Sequence, residues 1–291
     1  GQDKTVDLGT QTTTELRKTQ AVSTIYSDEL DKNATTSPYN AIYGLLPGLT
    51  VMQNTSWGTD KSRLNVRGRG SLNGDTPLFV VDGFARPIEY INLSEIEAIS
   101  VLKDGAASAI YGTRGSNGVI LINLKKGTKD GQVHTTYSTS VTFNKAKKEL
   151  DIMNAEEYRA YRTVSNPLSD MGADSDWFDA VTQLGVTHMH TLTFSGGNAR
   201  TNYRVTADYR NARGIDLRSD RREYGARANI NHTTKDGLFT FSANITPRVI
   251  DRNKSANVYS NAIKNNPTMP IYDSESANGY YRFPSGTEGS H

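Results

Sequence analysis

The segment TNYRVTADYR (201–210) decides the fold. Tyr203, Val205, Ala207 and Tyr209 alternate with Arg204, Thr206, Asp208 and Arg210, so an extended chain here has one apolar and one strongly polar face. The pattern returns as Tyr224, Ala226, Ala228 and Ile230 against Gly225, Arg227, Asn229 and Asn231. It returns again as Phe239, Phe241, Ala243 and Ile245 against Thr240, Ser242, Asn244 and Thr246. Upstream, Val133, Thr135, Tyr137, Thr139, Val141 and Phe143 oppose His134, Thr136, Ser138, Ser140, Thr142 and Asn144. These runs reach about ten residues or more, the length a tilted strand needs to cross a bilayer. Strands of a soluble sandwich also alternate but are usually shorter. The periodicity predicts an amphipathic wall whose apolar side meets lipid.

Bulk composition agrees with that reading without forcing it. The chain has 291 residues, enough for two domains or one large β-domain. Lys plus Arg is 33 and Asp plus Glu is 31, and a net charge of +2 gives no reason to expect nucleic acid as a partner. There is no cysteine, which removes disulfides, zinc–thiolate sites and thiol catalysis. No stretch approaches the roughly 18 consecutive apolar residues of a membrane helix. The mean hydropathy of −0.59 looks soluble. Barrel strands escape that index because half their residues are polar. No signal peptide is visible at the start, so a mature or trimmed chain is expected.

Along the chain, residues 1–20 are polar and Thr-rich and read as an extended, mobile arm. Residues 21–125 read as one α+β domain. Strands are expected at 21–27, 49–53, 63–69, 77–81 and 119–124, and helices at 38–46 and 105–111. A helical turn is expected from Ser94, with Ser94 as its cap and Glu97 three residues on. Residues 126–132 form a charged, Gly-containing linker, and 133–291 carry the wall strands and their loops. A helix is expected at 154–162, followed by an acidic loop with Asp170, Asp174, Asp176 and Asp179. Tight turns are expected at 195–198 and 233–237, and a longer link at 212–220. Five such strands cannot close a barrel around a domain of this size, so a larger barrel is expected.

The segments VRGRGSLNGDTPLFVVDG (66–83) and IEAISVLKDGAASAIYGTRGSNGVILI (96–122) resemble the plug domain of TonB-dependent outer-membrane transporters. The match is closest to the SusC/RagA family of Bacteroidetes nutrient importers, and GLLPGLTVMQ (44–53) fits that family too. The resemblance implies an α+β plug followed by antiparallel strands of a transmembrane β-barrel, about 22-stranded when complete. It implies energised import of oligosaccharides or peptides across the bacterial outer membrane. The implied partners are a SusD-like surface lipoprotein as lid, the TonB–ExbB–ExbD complex and outer-membrane lipid. By position, Thr5, Val6, Asp7 and Leu8 look like the TonB box of a periplasmic arm.

Several residues carry a bland and a functional reading side by side. Arg63, Asn65, Arg67 and Arg69 share a strand face, either solvated or, for Arg67 and Arg69, paired with acids on the wall. Arg114, in a Gly-Thr-Arg-Gly turn, is a third candidate for such pairing. Asp82–Gly83 reads as a turn. Asp104 reads as a helix cap. His188 and His190 share a strand face and read as ordinary wall residues, with no third metal ligand nearby. Tyr259, Tyr272, Tyr280 and Tyr281 are candidates for a ligand-binding loop. Gly68, Gly70 and Gly74 do not have dinucleotide-fingerprint spacing, and no parallel βαβ unit is expected after them. No cofactor, metal or catalytic constellation is expected. A surface receptor or adhesin without energised import remains the alternative, and a glycan-active enzyme ranks behind both.

Overall fold

A computed structural model describes residues 5–7, 12–14, 22–27, 49–52, 63–66, 77–88, 91–102, 110–148, 151–162, 166, 169–253, 258–276 and 278–281. The expected helix at 38–46 and Asp104 lie outside these residues, as does most of the helix expected at 105–111. The chain divides into two compact units. The first comprises Gly1–Ser140, Met189–Arg210 and Glu223–Ile250, and the second Val141–His188, Asn211–Arg222 and Asp251–His291.

Within the first unit, two short hairpins come from the N-terminal region. β1 (Thr5–Asp7) pairs antiparallel with β2 (Thr12–Thr14), and β4 (Leu49–Met52) pairs with β5 (Arg63–Val66). The main body is a five-stranded sheet of β3 (Val22–Tyr26), β8 (Ile96–Leu102), β9 (Val119–Leu124), β6 (Leu78–Val81) and β7 (Phe84–Ala85), in that order. VILINL (119–124) is nearly continuous in apolar residues because both faces of its strand are covered. Ile120, Ile122 and Leu124 join Ile25, Ile99 and Val101 on one side. Val119 and Leu121 join Val80 and Leu102 on the other, with Ile110 and Tyr111 packed against them. β6 and β9 run parallel, with Leu78 opposite Val119. The sequence expectation concerned a helix-linked βαβ unit and not a parallel pair as such. The crossover between these two strands contains the antiparallel strand β8, which is not the helix-linked unit a dinucleotide needs.

The wall is one sheet of β10 (His134–Asn144), β11 (Gly185–Gly197), β12 (Thr201–Arg213), β13 (Asp220–Thr233) and β14 (Thr240–Ile245), with β15 (Arg248–Asn253) also paired to β13. β14 and β15 are one strand interrupted at Pro247, which has no N–H to donate to a ladder but accepts from Ala226 through its carbonyl. The turn from β11 to β12 is tight: Asn198 bonds the backbone N–H groups of Arg200 and Thr201. The link from β12 to β13 was expected to be the long one, yet 214–219 is no longer than 234–239. The long connection is 145–184, between β10 and β11.

The sequence in this sheet is inside-out relative to a soluble protein. Thr191, Thr193, Ser195, Asn202, Thr206, Arg227 and Asn229 are buried, while Tyr137, Phe194, Val205, Tyr224, Phe239 and Phe241 are exposed. No described helix is long and apolar enough to cross a membrane, which has no bearing on strands.

In the second unit, α1 (Ala155–Arg162) starts with a reciprocal capping box. The Asn154 side chain accepts from Glu157 N, and the Glu157 carboxylate accepts from Asn154 N. The acidic loop is spent locally. Asp176 caps α2 (Trp177–Val181), and Asp170 accepts from Arg159 and from Gly172 N. α3 (Val258–Lys264) follows the wall strands, and Trp177 donates its ring N–H to the Asn266 carbonyl beyond it. Among the described residues no group of three His, Cys, Asp or Glu is arranged for a metal.

Candidate functional site

The first unit holds a charged seam where the mixed domain meets the polar face of the wall. Its centre is Glu95. This residue ends a 3-10 turn, Leu93–Glu95, capped by Asn92 and not by Ser94 as expected: the Asn92 side chain accepts from Ser94 N at 3.1 Å. A β-bulge between Ile96 and Ala98 follows at once. Bulges re-aim side chains, and here Glu95 is buried while Glu97 is exposed.

Two wall arginines converge on this carboxylate. Arg204, on β12, donates Nε to Oε1 at 3.3 Å and to Oε2 at 3.1 Å, and Nη2 to Oε1 at 2.8 Å. Arg227, on β13, donates Nη1 to Oε2 at 2.8 Å and to the Lys125 carbonyl at 2.8 Å. The Glu95 carbonyl in turn accepts from Lys125 N. Side-chain exposure is 3% for Glu95, 4% for Arg227 and 16% for Arg204, so the triad is nearly dry. Burial alone would raise the Glu95 pKa. Hydrogen bonds and charge from Arg204, then from Arg227, outweigh that and hold it below its usual value.

Asp82 makes a second tie. It has φ 48° and Gly83 has φ 85°, which makes the two-residue turn that joins Val81 to Phe84. The carboxylate that the turn frees accepts from Leu124 N at 3.0 Å and from Asn244 Nδ2, on β14, at 3.2 Å. The expected turn is therefore also a contact with the wall.

Above this lies an ion cluster made by the wall alone. Arg248 donates to Glu223 at 3.0 Å and to Asp208 at 2.9 Å, and Arg210 donates to Glu223 at 3.0 Å. Gly225 makes room for it: a Cβ there would lie 2.5 Å from Asp208 Oδ1 and 2.6 Å from Arg248 Nη2. Gly225→Ala should therefore break the Arg248–Asp208 pair and destabilise the protein by about 1–3 kcal/mol, as overpacking does. Thermal unfolding checks this, with Ala226→Gly, on the opposite face, as the comparison.

Residues 14–119 match the family described as TonB-dependent Receptor Plug Domain. The TonB-dependent receptor SusC of Bacteroides thetaiotaomicron is 33% identical over 92% of this chain and 28% of its own length. The chain belongs to the SusC/RagA family of TonB-dependent receptors. TonB-dependent receptor P26 of Formosa agariphila is 30% identical over 94% of this chain and 29% of its own. A structure of the RagAB peptide importer in an open-open state superposes with a TM-score of 0.74 at 23% identity, over 87% of this chain and 33% of that one, which speaks to the fold. The chain thus spans less than a third of the curated relatives it matches, and the mixed domain is the plug, followed by the first strands of a barrel.

In the family plug seen here, acids on the plug (Glu95 and Asp82) meet arginine and asparagine on the wall. Arg67 and Arg69 lie outside the described residues. Arg114 is exposed in the 3-10 turn Gly112–Gly115. Of the arm residues, Thr5, Val6 and Asp7 form β1, and Leu8 lies outside the described set.

The aromatic residues sort into two places. On the outward face, Tyr137, His190, Tyr209 and Tyr224 form a row across β10 to β13, with centroids 6.2, 6.4 and 5.1 Å apart, and Tyr137 Oη lies 2.7 Å from His190 Nδ1. A row of amphipathic rings at one level is what an interfacial belt needs. His190 therefore sits on the apolar face of the wall. In the second unit, Tyr272 and Tyr280 face each other across a β-bridge, 5.7 Å apart and both exposed. Tyr281 N donates to the Ile271 carbonyl on the same hairpin. Tyr259 lies in α3.

Proposed function

We propose that this chain is the gate of an energised importer that carries oligosaccharides or peptides across the bacterial outer membrane. The barrel wall, its apolar side in lipid, surrounds the plug, and a SusD-like lipoprotein closes the outer mouth. The arm reaches the periplasm, where TonB, driven by ExbB–ExbD, grips Thr5–Leu8 by strand addition. The observation that carries this reading is the Glu95–Arg204–Arg227 triad. It joins plug to wall through directional polar contacts in place of an interdigitated apolar core. Such contacts can be exchanged for water or for other partners when the plug is pulled. Arg67, Arg69 and Arg114 extend the same polar seam to other parts of the wall. Tyr259, on α3, and Tyr272, Tyr280 and Tyr281, on the hairpin beyond it, are the aromatic residues that stack on substrate in this reading.

Energy dependence tests this proposal. Cells expressing the intact protein should accumulate substrate only while the inner membrane is energised and TonB is present. Substrate binding to the cell surface should be the same in both conditions. Full uptake in uncoupled cells would favour a receptor or adhesin with a static plug.

A further inference from the structure

The outward row of Tyr137, His190, Tyr209 and Tyr224 lies where the wall changes character. Alternate residues along each strand stay on the outward face. On the side of the row toward the turns at 198–200 and 234–239, the next such residues are Thr135 on β10, Leu192 on β11, Ala207 on β12 and Ala226 on β13. They lead on to Phe194, Val205, Ala228 and Ile230, so this side is apolar but for Thr135. On the other side of the row, the next residues along the same strands are Thr139, His188, Asn211 and Arg222. That set is polar throughout, and its one permanent charge is positive. The row therefore marks the level at which an apolar band ends.

His190 is the member of the row with a directed donor. Its ring lies within 19° of parallel to that of Tyr137 and within 16° to that of Tyr209. Its Nδ1 is 2.7 Å from the Tyr137 hydroxyl and 3.2 Å from the Thr139 hydroxyl. Both hydroxyls can donate to one ring lone pair, whereas a ring N–H would serve only one of them well. Nδ1 is therefore the acceptor, and the neutral ring carries its proton on Nε2. No described residue accepts from Nε2. An N–H left unbonded in hydrocarbon is costly. At the edge of an apolar band the acceptors a bilayer supplies are headgroup oxygens, and a basic, polar margin suits the anionic ones.

We infer that His190 is a lipid-headgroup contact, its Nε2–H donating to a phosphate oxygen of a membrane lipid while Tyr137 and Thr139 hold the opposite side of the ring. The inference rests on reading this face as the lipid side of the wall, and it is independent of import.

The test is solid-state NMR of the intact protein, isotope-labelled at the ring nitrogens of its five histidines, in vesicles of phosphatidylethanolamine and phosphatidylglycerol in phosphate-free buffer. A nitrogen that donates to a phosphate oxygen lies about 4 Å from phosphorus. A protonated ring nitrogen dephased by lipid phosphorus is expected, with a shift that marks it as Nε2, and His190→Phe should remove that signal. Tyr137→Phe combined with Thr139→Val removes both hydroxyls from Nδ1 and should reduce the dephasing, as the proton redistributes between the two nitrogens. In dodecyl maltoside with added inorganic phosphate the dephasing should be absent; equal dephasing there would assign the contact to free phosphate and overturn the lipid. Should His190→Phe not fold, a chain with the other four histidines replaced by glutamine reports on His190 alone. No dephasing at His190 in the vesicles, dephasing that survives His190→Phe unchanged, or a proton resident on Nδ1 would each overturn the inference. Contacts of Phe194 and Ile230 with lipid chains read the lipid side separately. Chain contacts without phosphorus at His190 would sink the headgroup contact alone, whereas loss of both would sink the lipid-facing reading with it.

Discussion

Glu95→Gln should loosen the plug by about 3–5 kcal/mol, the usual cost of removing one member of a buried ion pair. The substitution keeps shape and volume but leaves Arg204 and Arg227 facing a neutral amide. Arg227 is the more exposed to loss, because its Nε and Nη2 already lack hydrogen-bond partners among the described residues and Asp82 stands 4.0 Å away. Hydrogen exchange would report the effect as faster exchange of the β8 and β9 amides, with the wall strands little changed. Replacing all three members by apolar residues of similar size should be far milder than Glu95→Gln alone, because no charge is then stranded. If single and triple variants were equally damaging, the packing of the turn, and not its charge, would be what holds the plug.

The same triad sets a pH dependence. The folded-state pKa of Glu95 lies below its ordinary 4.5. A depressed carboxyl contributes stability that is fully present above the unfolded-state value and is lost as pH falls through the folded one. Plug protection should therefore hold at neutral and mildly acidic pH and fall only below 4.5. In Glu95→Gln that acid limb should flatten.

How much of this could be read beforehand follows from period. Alternation with a step of two survives in β10 to β14 because each strand has one lipid face and one polar face. The seam's wall residues Arg204, Asp208, Arg210 and Arg227 were accordingly visible as one side of a pattern. Glu95 was not. It belongs to a short turn with no period of its own, two residues before another glutamate, and a bulge at Glu97 decides which of the two turns inward. Sequence alone favoured Ser94 as the cap because Ser-x-x-Glu is a common capping frame. Asn92 took that role because the turn closes after Glu95. For His190 the alternation gave only an ordinary wall residue; ring contacts with Tyr137 and Tyr209, and a bond to the Tyr137 hydroxyl, go with the outer face. The β6–β9 pairing was missed because parallel neighbours are distant in sequence, and nothing local records the choice.

Deletion of residues 1–10 should abolish uptake in cells and leave substrate binding intact, because it removes the handle without touching seam or loops. A sharper version is Val6→Pro. Strand addition by TonB needs backbone donors and acceptors on the edge of Thr5–Asp7, and proline removes the central donor and resists a ladder. One edge of this strand is already engaged, with Val6 opposite Thr13. TonB must therefore take the other edge or displace β2, and a second variant separates these routes. Thr13→Pro weakens β2 while leaving residues 5–8 unchanged. If β2 competes with TonB, Thr13→Pro should import at least as well as the unmodified protein, whereas Val6→Pro should not import. If both variants lose uptake together, the hairpin as a unit is what TonB grips. If the deletion itself imports normally, the TonB box lies elsewhere in the chain.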